Sequence, residues 1–182
     1  MRHISGIFLL IALFATASVF AQESADMRLE VGDPIPSFHL AFANKDTVSY
    51  DGITSQSLRG QRYIIATFPA PFSSGCTKEM CTFRDEFQQM KDLNVKVLPV
   101  SGDYIYATYA WAKELKLQFD VMADPTREFG KALGVYLPDK GMFQRAVFVV
   151  GPDGKIEYID YEYSVADNAD FDRLKEALAE LK

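Results

Sequence analysis

The chain has 182 residues, of which 25 are acidic and 19 basic, so its net charge at pH 7 is −6. An acidic chain without a block of lysine and arginine is not expected to bind nucleic acid. The length suits one domain with a full hydrophobic core, which makes a stapling disulfide unnecessary.

The first 21 residues are predicted to be a secretory signal peptide. Arg2 gives a positive start, an apolar run covers residues 4–14, and Ala21 supplies the small residue at a cleavage site. The run is shorter than the about 20 residues of a membrane-spanning helix. Removing these residues, with one basic and no acidic side chain, would leave 161 residues and a net charge of −7. We expect a periplasmic or secreted protein without stable membrane insertion; cleavage after Ala17 and an uncleaved anchor are alternatives.

The rest of the chain is predicted to alternate strands and helices. Residues 22–28 precede any periodic pattern and are expected to be flexible, whereas 29–182 should form one domain. The alternation predicts an α/β class with a mostly parallel centre, and a last hairpin adds antiparallel strands. This order is typical of a thioredoxin-like fold with a mixed central sheet flanked by helices. Strands are predicted at 38–42, 47–50, 62–68, 95–100, 118–122, 145–150 and 155–161, and helices at 57–60, 76–91, 104–116, 127–133 and about 171–181.

The only two cysteines, Cys76 and Cys81, lie five residues apart in a predicted helix. On a helix this spacing separates them by roughly 140° around the axis and about 8 Å along it. A disulfide needs Cα atoms within about 7 Å and converging Cβ atoms. The two thiols can therefore bond only if the helix unwinds, which indicates redox chemistry and not a structural disulfide.

Cys76 stands where a proline-rich loop, residues 69–75, leads into the helix. Helix N-termini and nearby cations stabilise a thiolate, and a thiolate can attack a peroxide oxygen. The sulfenic acid formed can condense with a second thiol. Cys81 is placed to be that thiol once the helix opens.

The residues around Cys76 resemble the active site of the peroxiredoxin family. Pro69, Ser73 and Cys76 match its signature of proline, three residues, Thr or Ser, two residues and cysteine. The run GCTKE, followed by Cys81 and FRD, is similar to the Q-type, bacterioferritin-comigratory group. The likeness extends from about residue 29 to the C-terminus, but only 69–85 is highly specific.

This resemblance implies a thiol peroxidase that reduces hydrogen peroxide or organic hydroperoxides and is re-reduced by a thioredoxin-like donor. Cys76 would be the peroxidatic thiolate, and Cys81 would resolve its sulfenic acid as an intrachain disulfide. No cofactor or metal is implied. The enzyme could be a monomer or a homodimer.

The resemblance also gives roles to four other residues. Ser73 would hydrogen-bond the attacking sulfur and the peroxide, and Pro69 would exclude solvent. Arg145 would hold the thiolate and polarise the peroxide, and Glu79 would orient that arginine. Without the signature, the same residues would be read as a loop serine, a surface arginine and a glutamate that complements the helix dipole.

Two other functions remain open from the sequence. A redox sensor or a disulfide-exchange protein would share the thiol chemistry, although a C-x-x-C pair is absent. A thioredoxin-like copper carrier would use both cysteines, since soft thiolates suit Cu(I). His39 is the only histidine after the predicted signal peptide and is interpreted as structural.

Overall fold

The computed structural model describes residues 28–181, so the predicted signal peptide and residues 22–27 of the predicted flexible segment lie outside it. None of the described helices is long and apolar enough to cross a membrane. The described elements, apart from a short 3-10 turn at Gln56–Leu58, are β1 His39–Ala43, β2 Val48–Thr54, β3 Arg62–Thr67, α1 Ser74–Asp85, α2 Phe87–Asp92, β4 Val95–Ser101, α3 Ile105–Glu114, β5 Val121–Ala123, α4 Glu128–Ala132, β6 Tyr136–Leu137, β7 Met142–Phe143, β8 Ala146–Val150, β9 Ile156–Asp160 and α5 Ala169–Glu180.

Seven strands form one sheet in the order β2-β1-β5-β4-β3-β8-β9. The pairs β3–β4 and β4–β5 are parallel, whereas the other four neighbouring pairs are antiparallel. The predicted mixed sheet with a parallel centre and flanking helices is therefore confirmed. Strands β6 and β7 form a separate two-stranded hairpin, which the sequence pattern did not predict.

Strand β3, an inner strand of the sheet next to the middle strand β4, has an apolar layer on each face. Ile64, Ala66 and the following Phe68 belong to one buried cluster, which also contains residues of α1, α3 and α5. Tyr63 and Ile65 belong to the other, together with residues of β1, α4 and β8. This alternation follows from the period of two along a strand. Every residue from 63 to 68 is buried, so the end of β3 gives the following loop a fixed starting point.

The register between β3 and β8 decides which distant residues meet. Because these strands are antiparallel, Thr67 at the end of β3 pairs with Ala146 at the start of β8. The Thr67 hydroxyl also donates to the carbonyl oxygen of Gln144, 2.9 Å away. This pairing places Arg145 beside the loop that leaves β3, although 69 residues separate it from Cys76.

The helix predicted over 76–91 is two helices. At Glu86 the backbone has φ −92° and ψ 6°, and its N–H bonds to the carbonyl oxygens of Thr82 and Arg84. These angles depart from helical geometry and separate α1 from α2. No glycine or proline marks the position, so the sequence pattern gave no sign of the break.

Candidate active site

Cys76 lies in the first turn of α1, where the chain has just left the central sheet. Ser73 has extended backbone angles (φ −70°, ψ 145°) and begins the helix, and its carbonyl accepts the N–H of Thr77 at 2.9 Å. Cys76 is completely buried and Cys81 is partly exposed; both are free thiols. Because α1 is continuous between them, they are not close to each other, as their spacing predicted.

Arg145 joins Cys76 to Glu79. Its Nη2 lies 3.5 Å from the Cys76 sulfur, and its Nη1 forms a hydrogen-bonded ion pair with Oε2 of Glu79. The Glu79 side chain has no exposed surface, and that of Arg145 is 14% exposed. Three of the residues predicted for the site are thus brought together, because the Arg145 guanidinium contacts both Cys76 and Glu79.

Burial dominates the electrostatics of this cluster. It raises the pKa of Glu79 to about 7, although the charge and hydrogen bond of Arg145 oppose the rise. Burial also disfavours the charged form of Arg145, but the attraction of Glu79 and of Cys76 outweighs it, so the pKa of Arg145 lies above its usual value. The guanidinium is therefore positively charged beside the sulfur. Oε1 of Glu79 is buried without a hydrogen-bond partner among the described residues.

Ser73 and Pro69 lie on the loop that precedes α1. The Ser73 hydroxyl is exposed and donates to the carbonyl oxygen of Ala70 at 3.1 Å; no described hydrogen bond joins it to Cys76. Pro69 is half-buried and follows Phe68, whose ring lies 5.3 Å from that of Trp111. The structure therefore places both residues on the approach to the helix, outside the Arg145 cluster.

Three further residues contact or surround the cluster, and the sequence reasoning gave them no role. A Cβ atom at Gly75 would lie 3.3 Å from Nη2 of Arg145 and 3.5 Å from Cγ2 of Val165, so a side chain there would press on the guanidinium. Tyr163 is buried, and burial, followed by the negative charge of Glu79, raises its pKa. Gly75 could have been found, since it adjoins Cys76; Tyr163 and Val165 carry no local signal.

The arrangement is suited to activating a thiol. The helix N-terminus and the Arg145 guanidinium both present positive charge to the Cys76 sulfur. Glu79 fixes the orientation of the Arg145 guanidinium, because it binds Nη1 while Nη2 lies beside the Cys76 sulfur. Within residues 28–181, no group of three or more His, Cys, Asp or Glu side chains could hold a metal ion.

Comparison with known families and sequences gives a consistent result. The profile of the AhpC/TSA family matches residues 31–159. A protein of Mycobacterium tuberculosis H37Rv that carries the name peroxiredoxin is 33% identical over 141 residues, covering 74% of this chain and 86% of its own length. A Coxiella burnetii protein named as a bcp peroxiredoxin is 29% identical, covering 73% and 89%. The peroxiredoxin of Thermotoga petrophila is 32% identical, but the chain spans only 54% of its length.

Solved structures agree with these relatives. The AhpC of Mycobacterium tuberculosis superposes with a TM-score of 0.70 at 26% identity, covering 85% of this chain and 93% of that one. The reduced 2-Cys peroxiredoxin of Plasmodium vivax gives a TM-score of 0.75 at 18% identity, covering 84% and 96%, and shares the fold. The family profile covers well over half of the chain, around the Cys76 cluster. The chain therefore belongs to the AhpC/TSA family of peroxiredoxins, which are thiol-dependent peroxidases.

Proposed function

We propose that this chain is an exported peroxidase that reduces hydrogen peroxide or an organic hydroperoxide through Cys76 and resolves the product with Cys81. One observation carries the proposal: the buried Cys76 sulfur lies 3.5 Å from Nη2 of an arginine that Glu79 holds in place. A buried cation beside a thiol at a helix N-terminus favours the thiolate. Family membership supplies the peroxide as substrate.

In the first step, the Cys76 thiolate attacks one oxygen of the hydroperoxide. The S–O bond forms and the O–O bond breaks. The leaving alkoxide or hydroxide takes up one proton from solvent, equivalent to the proton that Cys76 lost on ionising, so the products are a sulfenic acid and an alcohol or water. Negative charge develops on the leaving oxygen, and a fixed donor such as Arg145 stabilises it better than mobile water does. The Ser73 hydroxyl donates to the carbonyl oxygen of Ala70, so its oxygen can accept a hydrogen bond from the O–H group of a peroxide that approaches along this loop.

Access to Cys76 favours a small substrate. The sulfur has no exposed surface, whereas its neighbours Gly75 and Arg145 are partly exposed. A hydroperoxide must therefore displace neighbouring groups before it reaches the thiolate, and a bulky one must displace more.

In the second step, the Cys81 thiol attacks the sulfenic sulfur of Cys76. A disulfide forms and one water leaves, so that atoms and electrons balance. Because α1 runs continuously through both positions, part of the helix must unwind first. A thioredoxin-like protein then reduces the disulfide by thiol exchange.

Cysteine variants test this sequence directly. Cys76→Ser should abolish peroxide-dependent turnover with a thioredoxin-type reductant. With one equivalent of peroxide, Cys81→Ser should still form the Cys76 sulfenic acid but should lose turnover, since that sulfenic acid has no resolving thiol. Mass spectrometry of peroxide-treated wild-type protein should show a loss of about two hydrogens and a peptide linked through both cysteines. Full activity in Cys76→Ser would contradict the proposal.

The Arg145 guanidinium is expected to accelerate the first step. Arg145→Lys retains the charge but cannot engage Cys76 and Glu79 with separate nitrogens. We expect the rate of Cys76 oxidation, measured by stopped-flow fluorescence, to fall on the order of 100-fold. Arg62→Lys is the control. Arg62 also pairs with a carboxylate through two nitrogens, since it donates hydrogen bonds of 2.6 and 3.2 Å to Glu157, but it lies at the opposite end of β3. Equal losses in both variants would assign Arg145 a structural role only.

The raised pKa of Glu79 predicts how stability depends on pH. A carboxyl whose pKa is about 7 in the folded state instead of 4.5 binds its proton more tightly when the protein is folded. Its contribution to the free energy of unfolding is therefore largest below pH 4.5 and is lost as the pH rises towards 7. Glu79→Gln cannot titrate. The stability of the wild type relative to Glu79→Gln, measured by urea unfolding, should therefore decrease between pH 4.5 and 7.5. A stability difference between the two proteins that stays constant across this pH range would show that the pKa of Glu79 is not raised.

Export is supported by the sequence of the first 21 residues. A positive start, an apolar run and a small residue at position 21 are typical of a cleaved signal peptide. When the full chain is produced in a bacterial host, N-terminal sequencing of the protein in the periplasmic or extracellular fraction should begin at Gln22. A full-length chain confined to the cytoplasm would refute export and leave the peroxidase proposal intact.

A further inference from the structure

The N-terminal half of α1 is tied to a distant part of the chain. Lys78 donates through Nζ to the carbonyl oxygens of Val165, at 2.6 Å, and Ala166, at 3.1 Å. Both belong to the segment between β9 and α5, and we call residues 163–166 the strap. Lys78 stands between Cys76 and Cys81 in sequence, so it lies on the piece of helix that must unwind for the two sulfurs to meet.

The strap is itself firmly held. Tyr163 is 5% exposed and belongs to the core. The N–H of Ser164 donates to Oδ2 of Asp170 at 2.6 Å; Asp170 is buried and pairs with Arg173, also at 2.6 Å. Val165 packs against the core cluster and faces the Cα of Gly75. Lys78 is therefore anchored to a fixed support.

Unwinding of the N-terminal half of α1 must break this anchor. The Lys78 side chain can hold both carbonyls only while its backbone keeps its place on the helix, because the strap is fixed independently through Asp170. The two bonds are charge-assisted, since an ammonium donates to both. Each therefore opposes the departure of Cys76 from Arg145.

We propose that Lys78 is a positioning residue that slows resolution by holding the first two turns of α1 against the strap. This inference rests on the proposed function and adds a regulatory step to it. While these turns stay folded, the Cys76 sulfenic acid can react with a second hydroperoxide, giving a sulfinic acid and an alcohol or water. When these turns open, it condenses instead with Cys81, giving a disulfide and water. Lys78 thus shifts the partition towards overoxidation.

Lys78→Met should release the first two turns of α1 while keeping the aliphatic stem and a similar helix propensity. Trp111, the only tryptophan, lies 5.3 Å from Phe68 and 6.4 Å from Phe72 by ring centroids, so its fluorescence reports on the loop before α1. After mixing with hydrogen peroxide, we expect a slow, resolution phase about two- to tenfold faster than in the wild type, the effect of losing one net hydrogen bond. The sulfinic fraction at excess peroxide, measured by intact mass, should fall by a similar factor.

Two variants separate this effect from a general loss of packing. Lys78→Arg, which keeps a charged donor, should restore the slow phase towards the wild-type rate. Lys113→Met, on the exposed part of α3, should change neither readout. An unchanged slow phase and sulfinic fraction in Lys78→Met, or equal behaviour of the Met and Arg variants, would overturn the inference. If no variant, nor the wild type, oxidises at Cys76, the proposed function fails and the inference with it.

Discussion

The contact on which this site depends is that of one guanidinium with two partners, the Cys76 sulfur and the Glu79 carboxylate. Three elements must be in place for it to form. The end of strand β3 fixes where the loop to α1 starts, and antiparallel pairing brings the start of β8 to the same end of the sheet. The first two turns of α1 then carry both partners, Cys76 and Glu79. The register of β8 therefore controls the chemistry as much as the cysteine does, since a shift by one residue would turn Arg145 to the other face.

Stability alone does not explain this buried pair. Taking two charges out of water costs free energy that their attraction only partly returns, and well-packed apolar side chains often do as well or better. Here the cost is visible, because Glu79 has its pKa raised by burial and keeps one oxygen without a described partner. The pair instead fixes the guanidinium beside the sulfur before any substrate arrives. Such preorganisation is what stabilises a developing negative charge.

The sequence was sufficient for the features that depend on local pattern. The strand at 62–68, the loop and the helix start around Cys76 follow from β-branched composition, prolines and periodicity, and the signature located the thiol. Features set by distant contacts could not be found in this way. Lys78 and Val165 are 87 residues apart, and nothing in either segment indicates the other. The break at Glu86 has no glycine or proline to mark it. The β6–β7 hairpin has Pro138 and Gly141 in its turn, but its strands are only two residues long and therefore too short to show alternation.

The two steps that we propose would place opposite demands on α1. Attack would require its first two turns to be intact, because only then does Arg145 reach both Cys76 and Glu79. Resolution by Cys81 would require these turns to unwind. The distribution of contacts along the helix reconciles these demands. Polar ties restrain the first half, namely the Arg145 pair and the Lys78 anchor, whereas the Phe83 ring, completely buried and 5.6 Å from that of Phe171, holds the second half. When the polar ties break, their charged groups can regain bonds to water, which offsets part of the cost, whereas removing Phe83 from the core would expose its full apolar area. Local opening is therefore expected in the half of α1 that carries Cys76.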